Sequence, residues 1–237
     1  DVEAYTRGVK STRAIDEYLT SIANIIKHGD EEALKNSDIL GAYLLVATVS
    51  AVENYARLVL ADTVSICPRA RRLCSGQQIN LGSVIWHGYE RFTRGAFDHL
   101  SFASSDELRL GFEKFADFKL KDQEFRDIFQ EYDRLCNLRH GIVHCDRYLP
   151  GRNAVQLGLR SNQKDLRIVV RYGELQEAAA VCTSLVYAIN RKMFYELCKR
   201  WASDWRNFEW WEPCQSEYWF GQIWSTFVSK IDSERRP

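Results

Sequence analysis

Apolar residues recur at three- and four-residue steps through most of this 237-residue chain, the period of amphipathic helices. Tyr5, Val9, Ile15, Leu19, Ile22 and Ile26 predict a first helix over 2–28, with Gly29 as its stop. Ser37 and Asp38 can cap a second helix running to about Ile66. Its expected buried side carries Leu40, Tyr43, Leu44, Ala47, Ala51, Tyr55, Leu58 and Val59, and Pro68 interrupts the chain beyond it. Four glycines between 76 and 103 predict short helical pieces there. Ser104 followed by Glu107 is a capping-box pattern before another short helix. From Asp122 a strong stripe begins (Phe125, Ile128, Phe129, Tyr132, Leu135, Cys136) and leads to His144. A long closing helix carries Leu175, Ala178, Cys182, Leu185, Ile189, Met193 and Leu197.

The period changes once. Val155, Leu157 and Leu159 alternate, 161–165 is polar, and Leu166, Ile168 and Val170 alternate again, which predicts a β-hairpin over 154–171. With no repeat and no low-complexity linker, one domain over 1–237 is expected. It would be a mainly α, up-and-down helical bundle with this small β-hairpin and an aromatic-rich C-terminal extension over 201–237. Six of the seven tryptophans lie between Trp201 and Trp224. Packing of that extension is the plainest reading; a protein interface is the other, because Glu209, Glu212 and Glu217 disfavour stacking on bases.

Composition narrows the class. The chain is 46% hydrophobic and 27% charged, as globular proteins are. The apolar run Ile39–Val52 is too short to cross a bilayer, so no membrane partner is expected. Seven scattered cysteines with no Cys-x-x-Cys pair predict reduced thiols and a cytoplasmic location. Asp1 at the start and Met193 as the sole methionine are expected of a processed chain or of a piece of a longer one.

Charge redirects attention to one stretch. Lys plus Arg and Asp plus Glu both number 32, so bulk coating of nucleic acid is excluded. Yet residues 134–171 hold eight cations against two anions, and 98–133 hold five against ten. A local cationic site of this kind attracts phosphate, with Arg134, Arg147 and Arg152 as candidate RNA contacts. His140 and His144 sit within it, four residues apart. Neutral imidazole can move a proton at a 2′-hydroxyl or a leaving oxygen. A guanidinium can hold the phosphate and the charge that develops on it. Arg139 and His144 are about 140° apart on a straight helix, so a shared site needs a helix end, a break at Gly141, or a second copy of the chain.

The run Arg139-His140-Gly141-Ile142-Val143-His144 resembles the signature of the HEPN superfamily of ribonucleases: arginine, a polar residue, three more, then histidine. An earlier helix with an acid (Ser50 to Tyr55, holding Glu53) and a closing helix after the motif are similar to that superfamily too, over roughly 38–200. RiboL-PSP-like and related toxin-type members look nearest. A second match, Arg94 to His99, lacks the polar second residue and the leading apolar helix.

The resemblance implies an HEPN-like bundle. It implies Arg139 as phosphate and transition-state stabiliser, His144 as general acid/base, His140 as supporting polar group and Glu53 as orienting acid. It implies metal-independent RNA cleavage to 2′,3′-cyclic phosphate and 5′-OH ends without a cofactor. A two-fold homodimer with a composite active site is implied as well, and a toxin or antiviral role, held by an antitoxin or regulatory partner. Three rivals stand beside it. One is a metal site of Cys136, His140 and His144. Another is a non-catalytic HEPN-like module binding a nucleotide or a protein. In the last, the two histidines are purely structural.

Overall fold

The computed structural model describes residues 1–8, 12–121, 123–160, 164–208, 212 and 215–231. Eleven α-helices occur among them. α1 (Ala14–His28) and the short α2 (Glu31–Lys35) precede the 29-residue α3 (Asp38–Ile66). Then come α4 (Pro68–Cys74), α5 (Leu81–His87), α6 (Phe92–Gly95) and α7 (Ser105–Ala116). α8 (Gln123–His144), α9 (Gly151–Gln156), α10 (Tyr172–Ser203) and α11 (Ser216–Phe227) complete the set.

Two apolar clusters fix how the long helices run. One gathers the end of α1 (Ile25), the start of α3 (Ala42, Leu45), the end of α8 (Ile142) and the start of α10 (Leu175, Ala178). α1 and α8 therefore run toward this end and α3 and α10 leave it, which is up-down-up-down order. The second cluster fills the rest of the bundle, with Val52, Tyr55, Val59, Phe112, Phe129, Tyr132, Cys182 and Leu197. α3 is long and apolar enough to cross a bilayer by composition, but most of its apolar window is buried inside the bundle.

Local signals act as the residue types require. Ser37 Oγ accepts the Leu40 amide at 3.3 Å and starts α3 where the pattern predicts. Ser104 Oγ accepts the Glu107 amide at 3.1 Å and starts α7. The first helix begins later than predicted. Val2–Tyr5 is a 3-10 turn, and α1 starts only at Ala14, where side chains meet the core. Val2 and Tyr5 are exposed, so no packing supports helix there. Val9 and Asp122, counted in the two patterns, lie outside the described residues.

The predicted β-hairpin is absent: no strand occurs among the described residues, which form a helical bundle. Pro150 stands at the N-cap of α9 and Gly158, at φ 73°, follows its end, so 151–156 is helix. Val155 points into solvent. Asn153, two residues earlier, is the buried one, and donates to Asn137 O and Oδ1 at 3.3 and 2.8 Å. The second half of the pattern has the right faces but another partner. Ile168 and Val170 are buried while Arg167 and Val169 are exposed. This extended segment meets 147–149 instead, through Leu149 N to Leu166 O (2.9 Å) and Ile168 N to Arg147 O (2.7 Å), a single β-bridge. Of the predicted turn, 161–163 lie outside the described residues.

The aromatic extension packs on the bundle. Trp205, Ile223 and Phe227 are buried, and the Trp205 and Trp219 rings meet edge-on at 5.7 Å. Asp16 at the start of α1 accepts Ser229 Oγ (2.6 Å) and Lys230 N (3.1 Å), tying the segment after α11 to α1. Glu209, Trp210 and Trp211 lie outside the described residues.

Candidate functional site

α8 is unbroken through His144, so Gly141 does not kink it. The glycine is there for contact: a Cβ would stand 2.9 Å from Tyr148 O and 2.7 Å from Ile168 Cδ1. Past His144 the chain doubles back at once. Cys145 and Arg147 amides both donate to Gly141 O at 3.1 Å. Asp146 and Arg147 hold φ 47° and 69°, a conformation that costs a non-glycine residue about 1 kcal/mol. Backbone strain is thus concentrated in the two residues after Cys145, immediately beyond the motif.

The structure brings Glu53 to Arg139. Glu53 is only 5% exposed. Its Oε2 accepts the Phe102 amide and Arg57 Nη2, both at 3.2 Å, and its Oε1 lies 3.7 Å from Arg139 Nη2. Arg57 also donates Nε to Leu100 O at 2.8 Å, and Tyr132 Oη donates to Phe102 O at 2.9 Å. α3, α8 and the 100–102 turn therefore lock the carboxylate in place. Arg139 is less committed. Its side chain is 25% exposed, its ion pair is longer than a hydrogen bond, and its buried Nε has no partner among the described residues. It is a positioned cation, partly open to solvent.

His140 and His144 are both exposed, and their ring centroids are 4.8 Å apart. With α8 continuous, Arg139 and His144 stand about 140° apart around the axis and about 7.5 Å along it. One chain does not aim both at one phosphate.

The predicted RNA contacts do not form one group. Arg134 is ten residues before His144, about 15 Å along α8 on another side, and pairs with Glu131 at 2.5 Å. Arg147 sits in the strained turn. Arg152 is exposed on α9, which is fastened to α8 through Asn137, on the histidine side. Cys136 faces the core, where burial pushes its thiol far up, while His140 and His144 face solvent. Those three do not converge, and no group of three His, Cys, Asp or Glu does so among the described residues. At the other sequence match, Arg94 is spent on Asp62 at 3.0 Å.

Sequence reasoning missed Arg57, Asn137 and Tyr148. Arg57 carried a usable signal, since it lies four residues after Glu53. The contacts of Asn137 and Tyr148 come from chain segments that fold back, and nothing local announces them.

No protein-family model matches the chain, no curated protein matches it, and no solved structure matches it. Roles for Arg139, His144 and Glu53 therefore rest on their own chemistry and placement.

Proposed function

We propose that the protein is an endoribonuclease of the HEPN kind, cutting RNA at a site shared by two copies of the chain. The observation that carries this reading is Arg139: a partly exposed guanidinium steered by a buried carboxylate 3.7 Å away. It lies one residue before a pair of solvent-facing imidazoles. In the proposed step, a neutral imidazole takes the 2′-hydroxyl proton as that oxygen attacks phosphorus. The bond to the 5′ oxygen breaks, and an imidazolium returns a proton to it. The products are a 2′,3′-cyclic phosphate and a 5′-hydroxyl. Arg139 of one copy holds the non-bridging oxygens as charge grows on them, and His144 of the other moves the proton. Ile39, Tyr43 and Val143, exposed on α3 and α8 at the motif end, supply apolar surface for the pairing. A toxin or defence role with a regulatory partner belongs to the same proposal.

The test is incubation with total RNA in EDTA, with end groups mapped. Arg139→Ala and His144→Ala should each lose cleavage by at least about a hundredfold. Mixing the two inactive variants should restore a fraction of it, because a mixed pair holds one complete site. A second reading is favoured by the 140° separation: a non-catalytic module that binds a nucleotide or protein through Arg139. Absence of cleavage by a wild-type dimer, with nucleotide binding lost in Arg139→Ala, would select it.

A further inference from the structure

α8 carries more than the motif on its outer side. At about 100° per residue, Arg126, Gln130, Asp133, Asn137, His140 and His144 fall within about 80° of one another around its axis. A polar cleft of about 600 Å³ lies over the earlier part of this strip, between the start of α7 and the end of α9. α9 runs beside the strip. Pro150 at its N-cap stands against Gly141, Asn153 bonds Asn137 at 2.8 Å, and Gln156 and Gly158 border the cleft. The cleft and the two imidazoles thus share a floor, α8, and a wall, α9.

The groups in the cleft suit a nucleobase better than a run of phosphates. Its acids are taken up by the protein itself. Asp133 accepts the Ser105 amide and hydroxyl at 2.7 and 2.6 Å, and Asp106 holds Arg109 at 2.9 Å. Arg134 pairs with Glu131. Of the bordering arginines, Arg126 alone has no ion-pair partner among the described residues, so the cleft offers one cation to one phosphate. The amides of Gln130 and Gln156 are exposed, and neither has a hydrogen-bond partner among the described residues. A carboxamide carries both an acceptor and donors, the complement of a base edge. Arg109 supplies a plane. Its guanidinium carbon lies 4.5 Å from the Phe129 ring centroid and its side chain is 34% exposed, so a base can stack on the face turned away from Phe129.

We infer that this cleft is a base-reading subsite for single-stranded RNA. Gln130 and Gln156 address the base edge, Arg109 its face and Arg126 the adjoining phosphate. Gln130 is about 15 Å along α8 from His140, so the base that is read is set apart from the bond that is cut. The subsite rests on the ribonuclease reading for its ligand, and adds to it the residues that give sequence preference.

Fluorescence anisotropy with labelled ten-residue oligo(A), oligo(U) and oligo(C) tests it, in the His144→Ala chain so that the RNA stays whole. One of the three should bind at least about tenfold more tightly than the others. Gln130→Ala with Gln156→Ala in the same background should bring the three affinities to within about threefold of one another. The melting temperature should not move, because both side chains are exposed. Arg126→Gln should weaken all three alike. Equal affinities before the glutamines are changed overturn the inference, as does a preference that survives their loss. Oligomers that do not bind at all overturn it too. Wild-type cleavage in EDTA separates the two readings. Base preference without cleavage keeps the subsite and removes the ribonuclease, and cleavage without base preference does the reverse.

Discussion

Glu53 Oε2 lies within hydrogen-bonding distance of Arg57 Nη2, at 3.2 Å, whereas its other oxygen stands 3.7 Å from Arg139 Nη2. The carboxylate is bound by its own helix and by the Phe102 amide, and only steers Arg139.

This asymmetry separates two variants. Glu53→Gln removes the buried charge that faces both arginines and should cost about 1–3 kcal/mol in urea unfolding, discounted because both arginines are partly exposed. It should also lower RNA cleavage. Arg139→Ala should cost less than about 1 kcal/mol and lose nearly all cleavage. Arg139→Lys, which keeps charge but not the planar fork, should recover little. A large stability loss in Arg139→Ala would make the residue a structural one and sink its proposed role.

Two glycines clamp the segment that closes the motif end. At Gly41 of α3 a Cβ would collide with the Val170 carbonyl, and at Gly141 of α8 with Tyr148 O and Ile168. Gly141→Ala should destabilise by about 1–3 kcal/mol, since the obstacle includes backbone. Gly41→Ala should be the more damaging of the two. Thermal melts of both variants, with Gly173→Ala as a control at an open position, check the order.

Arg147 offers a way to remove a charge without harming the fold. Its φ of 69° suits glycine better than arginine. Arg147→Gly should keep or slightly raise the melting temperature and weaken RNA binding. It should also flatten the salt dependence by about 0.7 in the logarithmic slope, as for one lost phosphate contact to single-stranded RNA. An unchanged slope would remove Arg147 from the RNA surface.

Buried acids predict alkaline lability. Burial pushes the Cys182 thiol from 9.0 up to about 12, and Cys136, Tyr18, Tyr55 and Tyr132 are also raised by burial. Each raised group holds its proton in the folded state at pH values where the unfolded chain has lost it. Their stabilising contribution is full below pH 9 and declines as pH climbs from 9 toward 12. The melting temperature should fall across that window. Cys136 and Cys182 should resist iodoacetamide in native protein and react on unfolding, while partly exposed Cys145 reacts throughout. Labelling at native Cys182 would contradict the packing of α10.

What the sequence determined by itself is the set of long helices and their caps. Periodicity and capping are local properties, so α3, α7, α8 and α10 could be read from Ser37, Ser104 and the apolar stripes. The motif and its cationic surroundings were legible for the same reason. Only the tertiary structure decided the rest. Alternation at 155–159 is compatible with a strand, but Pro150, the buried bond of Asn153 to Asn137 and Gly158 at positive φ made it α9. Leu166 to Val170 did keep its alternating faces, yet took 147–149 as its partner, because pairing depends on which backbone the fold presents. Glu53 and Arg139 are 86 positions apart, and their meeting required antiparallel packing of α3 on α8. The outward apolar face of α5 was equally hidden. The glycines between 76 and 103 predicted short helical pieces but not their orientation, which the contacts of Ser83 with Gly95 and of His87 with Asp98 decided, leaving Leu81, Ile85 and Trp86 exposed.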